Sequence, residues 1–507
     1  MINAGVSRHF LYFRFMLNAI SKVQKNSNAA ILALLAVAVT YLWVWFMADA
    51  PAGGQDSWNH YLYARWAPHH PKLLLDQWGK PFFTLVALPF APFGLNSVYF
   101  LNFISTLGTA WICYLTGRKL SLRNPWLLII LFGWQPIVFA NFHSSLTEPT
   151  NALILVLMCY LFVSHKIKSA IFVASFLPLV RSEGMILLLA IIPFIFIRGY
   201  WKYLPLLFSG TAVFAIFAGF VSGDWKYFYH NNPYIRHELV GRFDPGSGAL
   251  FHYVNSQREI TGVLITLLLI VALVLTAIYV KQRINKKTPN EISQYVLWLF
   301  LPLFFSFFIA HTVIWYTGTM GSHGLIRVFV VVAPIAAIIA QFALHRLMSF
   351  NIKKMNQMMK IVIIAASFFI AFSGAHMPYP WQKGPSIEGF PGQSNVDSAL
   401  NYIQHNHLNN KVLVHQLPAL DVQLNFDPWA TAENAKSFYV WSIDTHEGKD
   451  WMPDSCVVLW DNVHARRDGP MPLHVMRSLK QYKEIAYFPS KLDTLYDVRL
   501  FLKVPQK

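Results

Sequence analysis

Charge is what this sequence has least of. Asp, Glu, Lys and Arg together make up 13% of its 507 residues, and acids are the scarcer half, 24 against 41 basic residues. Ordinary soluble domains carry roughly twice that charged share. With 55% hydrophobic and 16% aromatic residues, the composition excludes the soluble class and points to a chain built for lipid. Cysteine is nearly missing too. Cys113 and Cys159 sit in apolar runs and Cys456 stands alone in the tail, which excludes a disulfide framework and a zinc site. No internal repeat is evident. The formal charge of +17 invites nucleic acid as a partner, but the excess lies in short loops between apolar runs, so nucleic acid is not expected.

What is present is a series of apolar runs, near 29–48, 95–116, 126–140, 150–164, 169–180, 185–197, 203–221, 263–280, 295–310, 328–344 and 361–374. They predict a polytopic α-helical membrane protein of about eleven transmembrane helices. Several runs fall short of the roughly 20 residues of a full span, as pieces packed inside a bundle can. The first run lacks a small-residue cleavage site and reads as a retained helix. Alternate connections, with the N-terminal segment, carry nineteen Lys and Arg against one acid, Glu291. By the positive-inside rule the N-terminus is cytoplasmic, and eleven spans then put the tail outside. The polar loop after the first run, "GGQDSWNHYLYARWAPHHPKLLLDQWGKPFF", shares that outer face.

The predicted domain plan is a transmembrane domain over 1–374, a Pro/Gly-rich linker over 375–394, and a small extracytoplasmic α/β domain over 395–507. In the tail, "CVVLWD", "KEIAYFP" and "VRLFLKV" read as strands, 411–415 as another, and "PLHVMRSLKQY" as a short helix. The tail holds no phosphate loop and no Ser-His-Asp spacing. His405, His407 and His415 read as ordinary surface and strand histidines, and the tail as accessory.

Chemistry-bearing residues gather at the ends of the runs on the outer face. The first loop supplies Asp56, Asp76 and Lys80; "NFHSSLTEPTN" supplies His143 and Glu148. "LVRSEG" places Arg181 and Glu183 at a reversal, and "HTVIWYTGTMGSHGLIRVFVVVAP" adds His311, His323 and Arg327. An ionisable group near membrane depth needs a partner or a wet cavity, so several on one face suggest a polar cavity there. Simpler roles stay open. Arg181 and Glu183 can pair with each other, Glu148 can serve the start of its helix, and Asp56 can be a turn residue after Gly53-Gly54.

Taken in order, these segments resemble the GT-C superfamily of membrane glycosyltransferases, which use polyprenyl-phosphate sugars. The resemblance rests on the acid of "GGQDSW", the Lys-Pro-aromatic segment "WGKPFFTLVALPFAPFG", and "LTEPTNALILVL". It rests also on "PLVRSEGMILLLAIIPF", similar to the Arg-x-Glu-Gly element of mannosyltransferase-like members, and on "GSHGLIRVFVVVAP". In the last, Val328 and Phe329 stand where the family usually has Tyr. The likeness covers the chain through about residue 345.

The resemblance implies a hexosyltransferase, with mannose as the hinted sugar. It implies an inverting displacement in which Asp56 takes the proton of an acceptor hydroxyl, with Asp76 as a possible second acid. General-base help of that kind contributes typically 10²–10⁴-fold. Lys80, Arg181, His323 and Arg327 are the candidates to face the leaving phosphate, and His143, Glu148 and Glu183 complete the substrate-binding set. The partners implied are a polyprenyl-phosphate-sugar donor, the bilayer, and a glycan, lipid or protein acceptor. The loop lacks a paired Asp-x-Asp, so no cofactor is expected and a divalent metal, though possible, is not favoured. Segment 82–93 is expected to lie along the membrane surface, and the long loop 223–262 to act as a substrate lid. A bacterial periplasm and an endoplasmic reticulum lumen fit equally. The competing reading is a transporter or flippase of a lipid-linked saccharide.

Overall fold

The computed structural model describes residues 26–46, 52–231, 246–284, 291–320, 322–349, 353–372, 393–430, 435–439, 453–462, 473–491 and 494–504. The basic N-terminal segment, Asp49, the middle of the expected lid (232–245) and nearly all of the linker 375–394 lie outside the described residues.

Each apolar run is helical where it is described. Five helices are long and apolar enough to cross a membrane: α1 (Asn26–Phe46), α4 (Leu95–Lys119), and the helices Trp201–Ser222, Gly262–Gln282 and Glu291–Thr317. Shorter apolar helices pack among them, including α7 (Glu148–Val163), α10 (Gly184–Ile197) and Ala333–Leu347. Prolines explain two broken runs. Pro136 has no N–H to give, so run 126–140 divides into α5 (Leu127–Gly133) and α6 (Pro136–Asn141). With Pro178 near its start, α9 (Leu177–Val180) stands apart from α8 (Ile167–Ala174). Every residue of α5 is buried, and broken helices survive at membrane depth when protein surrounds them.

The helix Ala333–Leu347 is the central post. Its residues from Ala333 to Leu344 are all buried, and the alanines among them let Gly262–Ile284 and α5 approach closely. On the outside, Leu32, Phe220, Leu267 and Ile270 are exposed, the surface expected to face lipid.

The basic loops meet one another on one face. The Arg123 N–H donates to His345 Nδ1 (3.1 Å), Arg198 to Gln294 Oε1 (3.0 Å) and Arg346 to Ser293 Oγ (3.0 Å). The opposite face carries the polar loop after α1. Most of that loop is ordered: α2 (Gly54–Trp66), a 3-10 turn at Pro71–Leu75, and α3 (Pro81–Ala87). A further 3-10 turn at Ala91–Phe93 makes segment 82–93 two pieces, divided around Pro89.

Toward the C-terminus stands a five-stranded sheet, ordered β2-β1-β3-β5-β4. The strands are β1 (Leu413–His415), β2 (Ser437–Tyr439), β3 (Val457–Asp461), β4 (Tyr482–Phe488) and β5 (Val498–Lys503). β1 runs parallel to β2 and β3, whereas β5 runs antiparallel to β3 and β4, with Val458 opposite Phe501. Alternation along β3 feeds two cores. Val457 and Leu459 pack with Val396, Ala399 and Ile403 of the helix Gln393–His405, while Val458 and Trp460 pack with Met476 on the other face. The helix Pro418–Leu424, not expected from the sequence, docks on α2. Val422 and Trp429 join the cluster of Tyr61, Leu62, Ala64 and Phe83.

Candidate functional site

The start of α2 is clamped by the loop between α6 and α7. Gly53 takes a left-handed φ of 80°, and a Cβ there would lie 2.6 Å from Leu146, so glycine is required. The Ala52 N–H donates to the His143 carbonyl (3.0 Å), and the Ser145 N–H donates to Ser57 Oγ (2.7 Å). Asn102, fully buried in α4, holds that loop by donating to the carbonyls of Ser144 (2.8 Å) and Leu146 (2.7 Å). Asp56 therefore has a fixed place, in the first turn of α2, where the helix dipole favours an acid.

Around it the chain builds an alternating cluster of charges. Arg327 donates through Nη2 to Asp56 Oδ2 in a close ion pair, and its Nε lies 3.6 Å from Glu148 Oε1. Arg181 pairs with Glu148 at 2.7 Å and with Glu183 at 2.6 Å, and donates to Thr147 Oγ1 at 3.0 Å. Lys80 donates to Ser182 Oγ at 3.3 Å. Three carboxylates thus stand among three cations contributed by five separate stretches of chain.

Local backbone explains the placement. Glu148 opens α7 beside Pro149, and Arg181 and Glu183 flank the turn from α9 into α10. Gly184 makes that turn possible, since a Cβ there would stand 2.3 Å from the Leu177 carbonyl carbon. Lys80 adopts φ 64° ahead of Pro81, which for a residue with a side chain costs on the order of 1–3 kcal/mol and turns a buried lysine toward Ser182.

Electrostatics follow from this crowding. Burial pushes the Asp56 carboxyl up, but Arg327, with Arg181, outweighs it and holds the group below the usual carboxylate range. Burial likewise raises Glu183, and Arg181 and Lys80 bring it well below its ordinary value. Asp56 keeps 41% of its side chain accessible. Glu148, by contrast, is 2% accessible.

The structure brings together Asp56, Glu148, Arg181, Glu183, Arg327 and Lys80. The other residues singled out in the sequence have different surroundings. Asp76 closes a turn, accepting from the Gly79 N–H (2.8 Å) and the Tyr63 hydroxyl (3.3 Å). His143 is buried in an aromatic cage of Trp45, Tyr99 and Phe142, and burial lowers it to about 4. His323 is exposed on a left-handed turn four residues before Arg327. His311 is buried against Phe307, Phe329 and Tyr253, and neither ring nitrogen meets a hydrogen-bond partner among the described residues.

One neighbour of the cluster escaped sequence reasoning. His60 stacks on Trp78 (centroids 5.1 Å apart, planes 17°) one helical turn from Asp56, and burial presses it down to about 3, leaving it neutral. The signal was its i+4 spacing from Asp56, which is informative only once the segment is known to be helical.

No family model matches the chain, and no curated protein matches it. Among solved structures, the chain is similar to the crystal structure of ArnT from Cupriavidus metallidurans bound to undecaprenyl phosphate. The TM-score is 0.58 at 12% identity, over 94% of this chain and 99% of that one. At that identity the likeness shows the fold alone, and the five long apolar helices make it the fold of a multi-pass membrane protein.

Proposed function

We propose that the chain transfers a sugar from a polyprenyl-phosphate-linked donor to an acceptor hydroxyl, and that Asp56 is the general base. The observation that carries this reading is the ion cluster joining Asp56 to Arg327, Glu148 and Arg181, set at helix ends in a fold shared with a protein that binds undecaprenyl phosphate. In the reaction the acceptor oxygen bonds to the anomeric carbon as that carbon's bond to the phosphate oxygen breaks. The hydroxyl proton passes to Asp56, and polyprenyl phosphate departs with its charge met by Arg327, Arg181 and Lys80. One displacement inverts the anomeric centre. The sugar is proposed to be a hexose, with mannose the one to which Arg181-Ser182-Glu183-Gly184 points. No divalent ion is assigned, because the arginines already face the carboxylates that would hold one.

The site is assigned to the extracytoplasmic face. The meeting of Arg123, Arg198 and Arg346 with their partner loops opposite α2 supports that orientation under the positive-inside rule. Asp56→Asn in purified protein is expected to lower sugar transfer by about 10²–10⁴-fold while the chain still folds and still binds the donor. Turnover equal to the unaltered protein removes Asp56 from the chemistry. Movement of a labelled lipid-sugar across vesicles with no new glycosidic bond replaces transfer with transport.

A further inference from the structure

Asp56 is held in an ion pair, and a carboxylate engaged by a guanidinium is poorly placed to accept a proton from an alcohol. The same guanidinium, on Arg327, is what a phosphodiester would seek. Building on the transfer reading, we infer that Arg327 is exchanged between two oxyanions: it caps Asp56 while the site is empty and releases it when the donor phosphate arrives.

The accessibilities decide which partner yields. Arg327 stands between Asp56 and Glu148. Glu148 is 2% accessible, and separating it from its cations leaves a buried charge with nothing to replace them. Asp56 is 41% accessible and can be hydrated as soon as the guanidinium turns away. Arg181 cannot substitute readily, because it is already divided between Glu148 and Glu183 and bonded to Thr147. Lys80, which donates to Ser182 beside Arg181, adds a second contact for the phosphate. An incoming phosphate therefore displaces Asp56, which among the described residues is more accessible than Glu148, the other carboxylate beside Arg327. The base becomes competent only after the donor is seated, so the donor binds first and the acceptor second.

A double-mutant cycle on binding tests this without knowledge of the acceptor. The full chain is placed in nanodiscs and titrated with undecaprenyl phosphate, and each variant's fold is checked by its thermal transition. Asp56→Asn should tighten binding by roughly tenfold, because the phosphate no longer competes with a carboxylate for Arg327. In an Arg327→Gln background the same change should alter affinity by less than about twofold. Equal tightening in both backgrounds would reduce the effect to a general charge field and overturn the exchange, as would no tightening in either. Should Arg327→Gln not fold, Glu148→Gln supplies the comparison: tightening matching that of Asp56→Asn also overturns the exchange. These outcomes leave the transfer reading standing. Failure of the unaltered protein to bind undecaprenyl phosphate removes that reading, and the exchange with it.

Discussion

Asp56 and His60 sit one turn apart on α2 and are driven to opposite states of charge, the carboxylate by Arg327 and the imidazole by burial. The histidine has a measurable consequence. Its pKa falls from 6.5 in the unfolded chain to about 3 in the folded one, so between those values the unfolded chain holds the extra proton. Stability from this group is complete above about pH 6.5 and drains away as pH falls, at up to about 1.4 kcal/mol per pH unit. His60→Gln is expected to flatten the decline of the thermal transition between pH 6.5 and pH 4; an unchanged slope would assign the decline to other groups. At this scale the sequence was informative about residue type and silent about pairing. Acids are so few that Asp56, Glu148 and Glu183 each demanded a partner, yet Arg327 lies 271 positions from Asp56 and Arg181 lies 33 from Glu148. Only the packing of helices decides such matches, which is why Asp76 and His143 looked as promising as Glu148.

Elements were the most legible level, because hydropathy alone marks a buried or lipid-facing helix. The apolar runs emerged as helices, and the prolines at 136 and 178 stand where two of them break. β2 and the helix Pro418–Leu424 were missed for a plain reason. Three and seven residues are too short for period-2 or period-3.6 patterns to rise above noise. The turn between α9 and α10 carries the clearest consequence at this scale. A methyl group at position 184 would collide with the Leu177 carbonyl, so Gly184→Ala must push the helices apart and swing Arg181 and Glu183. Transfer activity is expected to fall by at least tenfold, with a lowered thermal transition, since angstrom-level misplacement of binding groups costs about 10²-fold. Wild-type activity in that variant would separate the Arg181–Glu183 pair from the reaction.

Over the whole molecule, the tail does more than accompany the membrane helices. Its helix Pro418–Leu424 rests on α2, Trp429 meets Tyr63 edge to face at 5.0 Å, and Asp427 bonds His70 at 2.8 Å. Strands β1, β3, β4 and β5 were readable from the residue pattern, but the docking of the tail was not, because contacts between distant segments leave no local pattern. Asp427→Asn is expected to reduce transfer by a few-fold and to speed amide exchange along α2, in keeping with the modest strength of a partly exposed pair. Exchange confined to the tail would make that contact irrelevant to the site.

His70 and Asp427 are 357 positions apart. A ribosome that has delivered α1 and α2 to the bilayer must still make most of the polypeptide before the latch beside the carboxylate-bearing helix exists. The support this contact lends the site is thereby deferred until late in translation, and a nonsense change before codon 427 would remove it together with the strands that follow.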